Sequence, residues 1–217
     1  MMRGTRIILW GVFLQLLLIG VAVRASHVVY HTVDNGLSQN EVTSIIQDQT
    51  GFLWFGTRGG LNRFDGYEFL HYKPDPAILT SLNGTSIERV FPAPRGRIWV
   101  GPQTTGLSSY DPHTNAFTSY YYSDTNDSTK LFGNRVIAFA EDHEGNIWIG
   151  TWANGVFRYN YKTGTFQHFM DGFKVLSIIQ TRDKRLWFAT WAGLYSTTTQ
   201  TLQFQFESEN LFQNEIC

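Results

Sequence analysis

The chain has 217 residues, with 17 basic and 18 acidic side chains spread along it for a formal net charge of −1. That balance offers no basic stripe for a phosphate backbone and excludes nucleic acid as a partner. Aromatic residues at 16%, 20 glycines and few helix-favouring runs point to all-β architecture with many turns, and a single cysteine, Cys217, excludes both an internal disulfide and a cysteine metal site.

Arg3 and Arg6 precede an apolar run over residues 7–23, after which Val23-Arg24-Ala25 offers a small-residue cleavage site before Ser26. Residues 1–25 therefore read as a signal peptide. The competing reading is an uncleaved anchor, since the run is about as long as the shortest spanning helices. Both readings place residues 26–217 outside the cytoplasm. Residues 27–31 form a β-prone run that reads as the outer strand of an incomplete blade, followed by the loop Asp34-Asn35-Gly36.

From residue 42 onward the chain repeats. Strands are expected at 42–48, 53–57, 60–65 and 67–72, with Asp65-Gly66 as a hairpin turn. The next four fall at 87–93, 97–101, 106–111 and 116–120, where Pro92 and Pro94 weaken the first strand because proline donates nothing to a ladder. A third set is expected at 136–141, 146–151, 155–160 and 165–169, and a fourth at 175–181, 185–190, 193–197 and 202–206. The clearest copy of the unit is EDHEGNIWIGTWANGVFRYN, residues 141–160, two short strands around turns. In the fourth copy Lys184 and Ala189 stand where the earlier copies have glycine. The aligned tryptophans Trp54, Trp99, Trp148 and Trp187 recur at intervals of 45, 49 and 39 residues, the period of a four-stranded propeller blade. The fold expected is thus a β-propeller with four complete blades at about 42–72, 87–120, 136–169 and 175–206. Because Leu211-Phe212-Gln213-Asn214-Glu215-Ile216 copies Leu37-Ser38-Gln39-Asn40-Glu41-Val42, a further blade begins at 211–217, and the ring is expected to be incomplete, a piece of a longer array.

Asn35-Gly36-Leu37-Ser38-Gln39-Asn40 with residues 42–48, and the recurring G-x-[LI]-W-[FVI]-G-T, resemble the two-component regulator propeller family. The resemblance covers essentially the whole chain after the signal. It implies the exported, periplasmic sensor region of a bacterial receptor, whose membrane helix and cytoplasmic output module, a histidine kinase or a diguanylate cyclase, lie C-terminal to these repeats. It implies signal transduction through a phosphorelay, and no catalysis by the propeller.

For sites, the four repeated tryptophans read as packing between blades. Trp152 and Trp191 differ, since each follows a threonine just past a second strand, in a turn that emerges on the same face as the inter-blade loops. That face would also carry Arg58, Gln103 and Asn154, with Asn83 and Asn134 from the loops, a set suited to a polar sugar-like small molecule or a peptide. Taken one at a time, each position reads as an ordinary solvated turn residue, and the case for a site rests on the set. Six histidines lack metal-ligand spacing, and no Ser/His/Asp order or phosphate-binding glycine loop appears, so no cofactor, metal or catalytic residue is assigned. Two alternatives stand beside the sensor: a glycoside hydrolase, because the D-x-x-G-x-x-W turn resembles those of sialidase-like propellers, and a protein-interaction propeller. A homodimer is a further candidate assembly. Export predicts that the protein made in a Gram-negative host begins at Ser26 on N-terminal sequencing, and an intact Met1 on membrane-bound material would favour the anchor.

Overall fold

The structure, a computed structural model, describes residues 28–93, 96–120 and 135–208. The signal peptide expected at 1–25, Asn134 and the further blade expected at 211–217 lie outside these residues. The chain divides into two units, Met1–Tyr30 and His31–Cys217. Within the first, residues 28–30 carry no strand, so the outer strand expected at 27–31 is not formed over its described part. In the second unit a 3-10 turn, Val33–Asn35, comes first, closed by Gly36 in the left-handed region.

Among the described residues sixteen strands follow, in four antiparallel sheets of four. The first sheet is β1 (Val42–Gln47), β2 (Leu53–Thr57), β3 (Gly60–Phe64) and β4 (Phe69–Tyr72). The second is β5 (Ile87–Pro92), β6 (Ile98–Pro102), β7 (Leu107–Asp111) and β8 (Ala116–Tyr120), and the third is β9 (Val136–Glu141), β10 (Ile147–Thr151), β11 (Val156–Asn160) and β12 (Thr165–Phe169). The fourth is β13 (Val175–Gln180), β14 (Arg185–Thr190), β15 (Gly193–Thr198) and β16 (Gln205–Ser208). Each strand pairs with its neighbour in sequence, the order that tight hairpin turns dictate. Pro92 closes β5, and the next ladder bond runs from Ala93 N–H to the Arg97 carbonyl. The last strand lies further along than the 202–206 expected, because Leu202 adopts a left-handed φ of 51° and its N–H returns to the Thr198 carbonyl, extending the turn.

The sheets stack in chain order: β5 lies against β1 and β2, β9 against β5 and β6, and β13 against β9 and β10. Three apolar clusters fill these contacts, each built from two successive blades and centred on Trp54, Trp99 or Trp148, all buried. Trp54 lies 5.2 Å from the Tyr110 ring, Trp99 lies 5.0 Å from Tyr159, and Trp148 lies 5.5 Å from Phe188. Each indole thus belongs to one blade and packs into the next. Two residues after each of these tryptophans is a glycine whose missing side chain admits the first strand of the next blade, its inner strand. A Cβ on Gly56 would sit 2.8 Å from Ile87 Cγ2, and one on Gly101 would sit 2.9 Å from Val136 Cβ. Ala189 occupies this place in the last blade, where no described strand packs against it. There Trp187 is only half-buried and Ile179 is 55% exposed. Ile45, on the opposite face of the first blade, is 59% exposed.

The D-x-x-G-x-x-W pattern has a physical basis in the first and third blades. Asp48 Oδ1 accepts the N–H groups of Thr50 and Phe52, which closes the turn, while Oδ2 accepts the Trp54 indole N–H at 2.7 Å. Asp142 does the same for Glu144, Asn146 and, at 2.8 Å, Trp148. In the second blade the equivalent residue is Ala93, and Trp99 donates instead to Tyr161 of the third blade at 2.7 Å. In the fourth it is Thr181, with a longer indole bond of 3.3 Å, and Lys184 takes the glycine's left-handed turn position at φ 68°. Burial pushes the Asp48 carboxyl up, but donation from Trp54, Thr50 and two backbone N–H groups outweighs it and holds the group below its ordinary range.

Two outcomes follow. Trp148→Ala should destabilise the protein by about 3–5 kcal/mol in urea melts, and Trp187→Ala by at least ~1 kcal/mol less because its indole is already half-exposed; equal losses would contradict the packing order. Because Asp48 titrates lower folded than unfolded, its contribution is complete above the ordinary carboxylate range and is lost as pH falls through the folded value. Asp48→Asn should therefore flatten the decline in melting temperature between about pH 4 and pH 2, and an unchanged slope would contradict the depressed carboxyl.

Candidate functional site

At one end of the stack, where each inner strand begins and each second strand finishes, the same backbone bond recurs four times. The N–H groups of Arg58, Gln103, Trp152 and Trp191 donate to the carbonyls of Glu41, Ser86, Arg135 and Lys174, at 3.4, 2.8, 2.9 and 3.0 Å. Each blade therefore presents two residues side by side at this rim. In three blades the motif threonine fixes the turn beside them: Thr57, Thr151 and Thr190 each donate from Oγ1 to the carbonyl of the glycine that opens the following turn's exit, Gly60, Gly155 and Gly193. Gly155 shows why this position admits no side chain. Its φ is 65°, and a Cβ would lie 2.1 Å from the Met170 carbonyl oxygen.

A second device aims a further residue at the rim. Every inner strand carries a register shift after its first residue, between Val42 and Ser44, Ile87 and Arg89, Val136 and Ala138, and Val175 and Ser177. Such bulges redirect the residue they insert. Here these are Thr43, Glu88, Ile137 and Leu176. Thr43 donates to the Gly56 and Ile87 carbonyls, so the first is spent on joining blades, whereas Glu88 is the charged member of the set.

Glu88 is buried and is held by two cations from the adjacent blades. Its Oε2 accepts from Arg58 Nη1 at 3.2 Å and its Oε1 from Arg135 Nη2 at 2.8 Å. Burial pushes the Glu88 carboxyl up, and the two guanidinium groups, Arg135 foremost, more than reverse it, so the group stays below its usual range. Arg58 also donates from Nε to Glu41 at 2.9 Å and reaches Ser86 Oγ at 3.3 Å, and Ser86 in turn donates to Gln103 Oε1 at 3.3 Å. The polar half of the rim is therefore one connected network across three blades.

The other half is aromatic. The Arg135 guanidinium carbon lies 4.9 Å from the Trp152 ring centre, and the Lys174 ammonium lies 4.9 Å from both Trp152 and Trp191. The two indoles meet edge to face at 6.4 Å. They are 36% and 52% exposed, in contrast to the buried tryptophans of the middle strands. Beside them a hollow of 380 Å³ is lined by Asp171, Gly172, Phe173, Lys174, Trp191 and Ala192.

Of the residues that the sequence singled out, Arg58, Gln103, Trp152 and Trp191 occupy equivalent rim positions. Asn83 is spent on its own blade, donating to the Thr105 and Leu107 carbonyls and accepting from Ser108 Oγ, so its amide holds the β6–β7 turn. Asn154 lies in the β10–β11 turn, where its N–H donates to Thr151 Oγ1 and its carbonyl meets His168 Nε2. Reasoning from turns missed Glu41, Ser86, Glu88, Arg135 and Lys174, because they precede or enter an inner strand; aligning the repeats on that strand would have placed them in register. No group of metal-ligating side chains is found among the described residues, and no described helix is long and apolar enough to cross a membrane.

Residues 36–59 and 130–153 each match the model of the two-component regulator propeller, covering an inner strand and its partner in the first and third blades. A histidine kinase of Formosa agariphila is 51% identical over 49 residues, which are 23% of this chain and 4% of the kinase. Among solved structures, the extracellular domain of a hybrid two-component system from B. thetaiotaomicron superposes with a TM-score of 0.73 at 27% identity, over 83% of this chain and 26% of that one. The extracellular domain of a one-component system from the same organism gives a TM-score of 0.68 at 20% identity, over 89% of this chain and 28% of that one. The chain thus spans about a quarter of the length of these solved relatives. In its repeated motif and in the blades that motif builds, the chain is similar to the two-component regulator propeller family.

Proposed function

We propose that this propeller is the extracytoplasmic ligand-sensing region of a bacterial signal-transduction receptor. It binds a small molecule or a peptide at the rim and biases a membrane-tethered output module, such as a histidine kinase, carried elsewhere in the full receptor. One observation carries the reading. The backbone bond at the rim is the same in all four blades, yet the side chains it displays are Arg58, Gln103, Trp152 and Trp191. A position that the fold fixes in space but leaves free in chemistry is where recognition can vary without cost to the scaffold. Two partly exposed indoles at such a position are binding surface rather than core.

The hydrolase alternative is poorly served by the same geometry. Glu41 and Glu88 are both engaged by Arg58, and Glu88 is held ionised, whereas an acid catalyst for glycoside cleavage needs a raised carboxyl. Calorimetry with oligosaccharides and short peptides should give a saturable complex without turnover, weakened about tenfold or more by Trp152→Ala, which corresponds to roughly 1.4 kcal/mol. Released product, or binding indifferent to Trp152 and Arg58 alike, would overturn the assignment.

A further inference from the structure

We propose that the aromatic half of the rim is an anion-selective subsite, taking a ligand that joins a carboxylate or sulfate to a flat apolar face, as an acidic sugar does. This rests on the rim being the ligand site and adds the chemical class it selects.

The charge pattern carries the step. Arg58 and Arg135 are neutralised by Glu41 and Glu88. Lys174 is different: among the described residues no carboxylate lies within ion-pairing distance of its ammonium, which is held instead between the Trp152 and Trp191 rings. Ring faces attract a cation through their quadrupole but leave its full positive charge uncompensated. The ammonium is thereby fixed in position at low conformational freedom, the condition under which a charged group recognises a partner best. Arg135 packs on Trp152 as well, so two cations lie over that indole.

The surrounding shape completes the subsite. Trp191 and Lys174 both line the 380 Å³ hollow, so an anion drawn to the ammonium enters a space with an indole wall. The Asp171 carboxylate lines the same hollow and lies 3.9 Å from His168 Nε2. Its presence disfavours a ligand bearing negative charge throughout and fits one with a single anion and neutral hydroxyls for the acidic edge. A neutral ligand would gain the indole but leave Lys174 unanswered. A cationic one would meet Lys174 and Arg135 together.

The test uses the 15N-labelled protein and its indole N–H resonances, assigned with Trp152→Phe and Trp191→Phe. Glucuronate, glucose 6-sulfate and glucose are titrated in parallel. Glucuronate or glucose 6-sulfate should shift the Trp152 and Trp191 signals saturably, at least fivefold more tightly than glucose, and the two anions compared show which head group is preferred. Lys174→Gln should abolish that preference while leaving the buried indole signals in place, which separates lost selectivity from lost folding. Equal response to all three sugars, no response to either anion, or a preference that survives Lys174→Gln would overturn the anion subsite. Glucose binding that is lost in Trp152→Phe would still leave the rim as the ligand site, whereas binding that perturbs neither rim indole would remove both readings.

Discussion

The structure depends on one repeated event, the insertion of an indole from the second strand of one blade into the face of the next. Four-stranded sheets of this length cannot bury their own apolar faces, so each blade is stable only against a neighbour. Trp54, Trp99 and Trp148 supply the bulk, and the glycine two residues on lets the next inner strand come close enough to cover it. Large and small are needed together. An indole without the glycine would hold the blades apart, and a glycine without the indole would leave a void between them.

The same constraint explains why so much of the fold was legible in the sequence. Packing between blades repeats, so it leaves a repeated mark: tryptophan, one β-branched or aromatic residue, then glycine or, in the last copy, alanine. Strand identity and blade order follow directly from that mark. What was not legible has equally physical reasons. The carboxylate of Asp48 or Asp142 that accepts the indole N–H could not be told from an ordinary turn aspartate, and its replacement in the second blade by Tyr161, from another blade, leaves no local signature. Residues 28–31 have the composition of a strand but carry none, and His31 packs its ring on Phe64 and Phe69 instead.

The rim was half visible. Trp152, Trp191, Arg58 and Gln103 stand out because each follows a recognisable strand end, whereas Lys174 and Arg135 look like unremarkable loop cations until the backbone bond pairs them with the indoles. Glu88 is the deepest case. It lies within a strand, and only the bulge, which no residue type announces, turns its carboxylate toward Arg58 and Arg135. Variation lies where the scaffold makes no demand, and uniformity lies where the blades touch. The side chains that fail to repeat are therefore the informative ones at this end of the molecule.

The bond from Trp99 to Tyr161 has a consequence for the order in which the chain becomes self-sufficient. The first and third blades carry their own indole acceptor, Asp48 or Asp142, only six residues away. The second borrows its acceptor from 62 residues downstream. As the polypeptide emerges from its N-terminus, the first blade can satisfy its central side chain at once, whereas the second carries an unanswered indole N–H, an omission costing about 1–3 kcal/mol when buried, until the third blade has been delivered. The second and third blades are thus a single unit of synthesis, although the repeat counts them as two.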